Sequence, residues 1–236
     1  MQWYGSILPR VQRHLPAGTV LEIACGYGRW TNFLRQHCDR LIGVDLVGQC
    51  VEACRKRFDG DKRLSFVQND GRSLEFVQDG SVDFVFSFDS LVHVDPSAIH
   101  GYLSQFSRIL RPGGTAFLHH SNLAAYPLQA RILYTPKVRR VFSTVRITER
   151  QHHNRDPSMS AERMVKIASD CGLTVTGQEC VTWRTRRMLL DCLTTLQNGA
   201  GGAVREPIRN RDFMREASMW KKLRVIYGSE PPSPGA

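Results

Sequence analysis

The sequence predicts a doubly wound α/β fold around a mostly parallel sheet of seven strands. Three observations lead there. Short apolar runs alternate with longer stretches of helical periodicity from about residue 19 to residue 193, the rhythm of strands joined by crossover helices. The first run, Val20-Leu21-Glu22-Ile23, passes straight into the two-glycine loop Ala24-Cys25-Gly26-Tyr27-Gly28 and then into a helical pattern. The second, Leu41-Ile42-Gly43-Val44, ends in Asp45. A glycine loop and an acid at two strand ends make a place for a nucleoside to lie against backbone.

The elements follow in order. Residues 6–14 give a short leading helix, broken at Pro16-Ala17-Gly18. Strand one is 19–23, and helix one runs from 28 to 37 with Trp30, Phe33 and Leu34 on one face. Strand two is 41–44 and helix two is 49–58. Strand three, 64–68, alternates and ends in Asn69-Asp70-Gly71, and strand four is 82–87. The next helix opens at Asp95-Pro96-Ser97, an acid cap followed by proline in the first turn, and runs to Leu110. Arg111-Pro112-Gly113-Gly114 turns the chain into strand five, 115–119. The alternation then pauses over a polar, basic segment, 121–160, with Pro127, Pro136 and Pro157, read as an inserted lid. A helix over 160–171 is stopped by Gly172. Residues 173–181 and 187–193 give two last strands, a hairpin that ends the sheet. A glycine-rich turn at 199–202 precedes a helix over 210–227, and the Pro/Gly/Ser-rich tail 229–236 is expected to be disordered. Residues 1–228 thus make one domain.

Composition sets the outer bounds. The chain has 236 residues, 42% of them hydrophobic, enough for one α/β domain with a real core. No apolar run reaches the length of a membrane span, and Met1 to Ser6 does not open a secretory signal. The seven cysteines are scattered and form no Cys-x-x-Cys pair, as expected of reduced thiols in a cytoplasmic protein. The net charge of +10 concentrates at 131–166 and 205–224 and favours an anionic acceptor or surface. No aromatic-rich RNA-binding module accompanies it, which argues against a nucleic-acid partner. Self-association is left open.

Ligands in open parallel sheets bind at the carboxyl ends of the strands. Gly26 and Gly28, Asp45, Asp70, Ser87 to Asp89, and His119-His120 lie there. Asp45 is placed to accept from two ribose hydroxyls and Asp70 from an exocyclic adenine amine. The carboxylate of Glu22 suits an ammonium better than a phosphate. A dinucleotide is the competing reading of Gly26-Tyr27-Gly28. Thr31 stands where a third glycine would follow, and the bulk of Arg29-Trp30 opposes close pyrophosphate approach.

Taken together, Val20-Leu-Glu-Ile-Ala-Cys-Gly-Tyr-Gly28, Gly43-Val-Asp45, Asn69-Asp-Gly71, Ser81-Val-Asp-Phe-Val-Phe86 and Leu110-Arg-Pro-Gly-Gly114 resemble the class I S-adenosylmethionine-dependent methyltransferases in order and spacing. The resemblance covers residues 19–120 and, more loosely, 160–193. It implies a Rossmann-like fold, S-adenosylmethionine as cofactor and S-adenosylhomocysteine as product. By it, Glu22, Gly26 and Gly28 line the methionine arm, Asp45 holds the ribose, Asp70 the adenine, and Phe88-Asp89 close over the cofactor. Ala24, Trp30, Leu46, Asn69 and Gly71 complete the implied cofactor-binding set.

Family members that methylate base amino groups carry an Asn/Asp-Pro-Pro-Tyr/Phe element after strand four, where this chain has Ser87-Phe88-Asp89-Ser90-Leu91. The departure argues against nucleobase N-methylation. An alcohol acceptor would have to lose a proton as it attacks. Histidine suits that task. His120, His119 and His93 are the candidate bases, and His120 is favoured. Strand alternation allows only one of His119 and His120 to face the cleft. Asp89, His93, His119 and Glu179 show no diagnostic ligand spacing, and no metal is assigned. In the lid, Tyr126, Tyr134, His152-His153 and Arg155 could grip a polyol or an anion, and Trp183 could stack on a sugar. His119-His120-Ser121-Asn122, Gln178-Glu179, Trp183 and the Asp191-Cys192 strand bear a second, looser resemblance to bacterial surface-polysaccharide and glycan methyltransferases, which implies O-methylation of a sugar. A small-molecule O- or N-methyltransferase and a non-catalytic cofactor-binding regulator are the alternatives.

Overall fold

The computed structural model describes residues 2–128, 155–182, 188–199 and 206–227. Its strands are β1 (Ala17–Ile23), β2 (Cys38–Asp45), β3 (Leu64–Gln68), β4 (Val82–Ser87), β5 (Leu110–Ser121), β6 (Leu173–Val181), β7 (Asp191–Asn198) and β8 (Ile208–Asn210). They form one sheet in the order β3-β2-β1-β4-β5-β7-β6-β8. β1 to β5 pair in parallel. β7 enters between β5 and β6 and runs antiparallel to both. The order reverses between β1 and β4, so the switch point lies at the carboxyl ends of these two central strands.

The expected fold holds, with differences of detail; β1 and β2 also begin earlier than expected, at Ala17 and Cys38. The sheet has eight strands, because the three-residue β8 adds in parallel to the outer edge of β6. β5 begins at Leu110, and the Arg-Pro-Gly-Gly run lies within the strand. Pairing with β4 skips from Val82↔Leu110 to Phe84↔Thr115 there, and Gly113 at φ 75° absorbs the bulge. The last long strand is Asp191–Asn198, later than the expected 187–193. The acid in an otherwise apolar stretch opens that strand.

The helices are α1 (Leu8–Val11), α2 (Thr31–Leu34), α3 (Gly48–Arg57), α4 (Pro96–Ile109), α5 (Ala161–Asp170) and α6 (Phe213–Tyr227). α2 is only the central turn of the helix expected over 28–37. α4 starts where Asp95 accepts from the N–H groups of Ser97 and Ala98, with Pro96 in the first turn. Ile99, Leu103, Phe106 and Ile109 share its buried face. α5 is capped by Ser160, which accepts from the Arg163 N–H, and it buries Met164, Ile167 and Ala168. α4 and α5 pack on Leu21, Val44, Val85, Leu118 and Leu196 on one face of the sheet. Trp3, Ile7, Leu34 and Phe213 cover Val20, Leu41, Phe84, Phe86 and Phe117 on the other. β1, β2 and β4 read as nearly unbroken apolar runs because both faces are covered.

Between β3 and β4 no helix crosses. The loop from Asn69 to Ser81 sends only Leu74 and Val77 into the core. The greater part of the expected lid, with Tyr134 and His152-His153, lies outside the described residues, as do Trp183 and the tail. The two ends of the lid segment are joined: the Ala124 N–H donates to Met159 O and the Ser121 hydroxyl to Asp156 O. Among the described residues, no helix is long and apolar enough to cross a membrane.

Candidate functional site

The carboxyl end of β1 bends sharply at Ala24, φ 57°, and again at Gly26 and Gly28. At Gly26 a Cβ would meet nothing within 4 Å, which leaves open space over the backbone. At Gly28 a Cβ would stand 2.5 Å from the Phe58 ring, so the loop is pressed against α3 and admits no side chain. Cys54 Sγ donates to Gly26 O at 3.1 Å and fixes the loop from the same side.

Asp45 ends β2 and is 8% exposed. Its Oδ2 accepts from the Gly26 N–H at 2.8 Å and its Oδ1 from the Val47 N–H at 2.9 Å. One carboxylate thus ties two strand ends, and each oxygen keeps a lone pair for a further donor. Beside it, Leu46 is 59% exposed and packs near Gly71. Asp70 is exposed, and its Oδ1 accepts from the N–H groups of Arg72 and Ser73. Those backbone donors hold its carboxyl below the usual range. The Asn69 side chain shapes the same loop, accepting from the Gly71 N–H and donating to Ser73 O and the Tyr102 hydroxyl.

Glu22 is 1% exposed. Oε2 accepts from the Thr31 hydroxyl at 2.5 Å, and Oε1 has no hydrogen-bond partner. Burial pushes its carboxyl up to about 8, against the pull of the Thr31 bond. An orphaned buried acceptor under a glycine loop is the signature of a missing donor.

Several expected site residues are placed elsewhere. Trp30 is buried in the core among Phe33, Phe88 and the cation of Arg29. Phe88, expected to close over the cofactor, packs edge-on against Trp30 and lies 4.6 Å from the His119 ring. Both belong to the wall behind the site, because large aromatics next to a tight loop gain most from burial.

The favoured base, His120, is also misplaced. It is fully buried on the α5 face. Nδ1 donates to Ser121 O at 2.8 Å, and Nε2 accepts from the Thr194 hydroxyl at 2.8 Å. Burial holds it down to about 4. With both nitrogens engaged and the ring fully buried, it is a core residue. His119 faces the other way and is equally buried. Its Nδ1 accepts from the Asp89 N–H at 3.1 Å, so Nε2 carries the ring proton and faces Asp191 Oδ2 at 3.4 Å. Arg155 clamps Asp191 with two bonds of 2.5 and 2.7 Å. Burial alone would raise the Asp191 carboxyl, but Arg155 and His119 hold it below its ordinary value. His93 is exposed on the 3-10 turn Leu91–His93, just past Asp89. Glu179 is engaged by Arg10 and Asn210. The sequence singles out Asp191 only within the looser glycan-methyltransferase resemblance and gives it no link to His119, although an acid among Leu189, Leu190, Cys192 and Leu193 was the available signal.

Residues 20–114 match the family described as a methyltransferase domain. A phosphoethanolamine N-methyltransferase of Triticum aestivum is 32% identical over 48% of this chain and 24% of its own length. A ubiquinone biosynthesis O-methyltransferase of Xanthomonas campestris is 29% identical over 46% of this chain and 45% of its own length. The matched part thus spans less than half of either relative. A solved S-adenosylmethionine-dependent methyltransferase from Mesorhizobium loti superposes with TM-score 0.58 at 17% identity, covering 80% of this chain and 96% of that one. The cofactor of this domain is S-adenosylmethionine, and the strand ends fit it. Asp45 has lone pairs for ribose hydroxyls, Gly26 leaves room beside the backbone, and Glu22 offers an unpartnered acceptor for the ammonium.

Proposed function

We propose that the chain transfers a methyl group from S-adenosylmethionine to a hydroxyl on a sugar-type acceptor, with His93 receiving the hydroxyl proton. The observation that carries this reading is the division among the three candidate histidines. His119 and His120 are sealed in the core, whereas His93 is exposed beside Asp89 and Ser90 at the carboxyl end of β4. A polar rim of this kind, in place of an Asn-Pro-Pro-Tyr element, suits an alcohol. The +10 charge favours an acceptor that is itself anionic.

When bound, S-adenosylmethionine would supply a methyl group activated on a sulfonium, with the thioether as leaving group. The chain's own task is alignment and proton removal. The glycine loop, Asp45 and Glu22 hold the donor, and His93 takes the proton as the acceptor oxygen attacks. The free cysteine thiols support the cytoplasmic expectation.

Calorimetry with S-adenosylhomocysteine, then a labelled-methyl screen over sugars, phenols and amines, tests the reading. A hydroxylated acceptor is expected to turn over, and His93→Ala to lower kcat about 100-fold with cofactor affinity unchanged. Turnover confined to amines would favour the second reading, a small-amine N-methyltransferase, which the similarity to the wheat enzyme supports. Cofactor binding with no turnover on any acceptor would favour a regulator.

A further inference from the structure

The chain Arg155–Asp191–His119 is buried and joins elements distant in sequence. Arg155 stands at the returning end of the lid segment, Asp191 opens β7, and His119 lies near the end of β5. None is more than 7% exposed. Burying an ion pair costs several kcal/mol per charge, so its retention calls for a use. The far end of the chain is the Asp89 backbone. Asp89 is a non-glycine residue at φ 67°, a conformation that costs about 1–2 kcal/mol. Its N–H points inward onto His119 Nδ1, which turns its own side chain outward into the exposed rim.

We propose that His119 is a positioning residue: its Nδ1, aimed by Asp191 and Arg155, holds the Asp89 amide and so sets the loop after β4 against the cofactor. The proposal rests on the cofactor reading above. Only the Nε2–H tautomer can serve, because Nδ1 must accept from the Asp89 amide, which leaves the ring proton on Nε2, facing the Asp191 carboxylate at 3.4 Å. Asp191 selects that tautomer, and the bidentate Arg155 guanidinium fixes the carboxylate plane. The Phe88 ring against the imidazole prevents it from turning. The neighbouring His120 carries the opposite tautomer, donating from Nδ1 to Ser121 O. The choice at His119 is therefore made by its partners and not by the strand.

Two near-isosteric variants separate positioning from packing. In His119→Asn the amide oxygen stands near the place of Nδ1 and can still accept from Asp89. In His119→Gln the amide reaches toward Asp191 and leaves the Asp89 N–H without its acceptor. Hydrogen exchange at the Asp89 amide, read by NMR on the full chain, is expected to speed up about 10-fold in the Gln variant and less than about 3-fold in the Asn variant. S-adenosylhomocysteine affinity by calorimetry is expected to fall at least about 5-fold in the Gln variant and to stay within about 2-fold in the Asn variant. Thermal unfolding of both provides the fold control. Equal behaviour of the two variants in both measurements, or a larger effect of Asn, would overturn the proposal in favour of packing alone. If the unsubstituted chain does not bind S-adenosylhomocysteine, the cofactor reading falls, and the exchange comparison still decides whether His119 holds Asp89.

Discussion

The two ends of the sheet's functional edge treat polar side chains in opposite ways. At β1 and β2, Asp45 ties two backbone amides and keeps lone pairs in reserve, while Glu22 keeps one oxygen with no partner at all. At β5 and β7, His119, Asp191 and Arg155 are spent on one another and on the Asp89 amide. The first region keeps bonding capacity in reserve, as the proposed cofactor site requires. The second is closed and serves rigidity. Polar residues at strand ends are thus not one class: in one region an acceptor stands without a facing donor, and in the other the charged groups face one another.

The sharpest way to break this comparison is to open the closed half. Arg155→Ala leaves the Asp191 carboxylate buried with one partner fewer and should cost about 3–5 kcal/mol in urea unfolding. The paired change Arg155→Met with Asp191→Leu should recover most of that loss, because neither charge is then left behind. A single-variant loss below about 1 kcal/mol would show that the pair is not a rigid element.

In the open half the effect should fall on binding. Asp45→Ala is expected to weaken S-adenosylhomocysteine about 100-fold by calorimetry, through lost charge-assisted bonds to the ribose. An unchanged affinity would remove Asp45 from the site.

Glu22 gives a subtler reading. With its carboxyl pushed up to about 8 from 4.5, it is largely protonated at pH 7, and an incoming ammonium should drive the proton off. Calorimetry in buffers of differing ionisation enthalpy should therefore detect release of roughly one proton on binding, absent in Glu22→Gln. The folded state holds this proton more tightly than the unfolded one. Its contribution to stability is thus full below about 4.5 and is lost as pH rises through 8. Glu22→Gln should flatten that slope.

The smallest effect belongs to the histidines. Burial lowers His120 and His14 to about 4 from 6.5. The unfolded chain protonates first, so stability should erode as pH falls from about 6.5 toward 4 and level off below. His120→Gln should reduce the slope measured by thermal unfolding across that window.

Much of this molecule was legible in its residues. β3, β4 and β6 fall on the expected ranges, because an apolar run between turn residues leaves little freedom. Asp45 was legible for the same reason: an acid ending a buried strand has only the sheet edge to occupy. The burial of the Trp30 and Phe88 rings was not legible, because sequence places them next to the loop without saying which way each ring turns. The eighth strand was invisible because three residues carry no period.

What the sequence determined by itself was the order of strands and helices and the glycine loop and acid that end β1 and β2, since local periodicity and loop chemistry act over a few residues. The tertiary structure alone decided which histidine is exposed. His119 and His120 differ by one position and lie on opposite faces, and their tautomers are fixed by Asp89, Asp191, Ser121 and Thr194. Arg155 and Asp191 likewise acquire their meaning only when β7 inserts beside β5. Long-range pairing of that kind is set by the packing of whole strands and leaves no local trace.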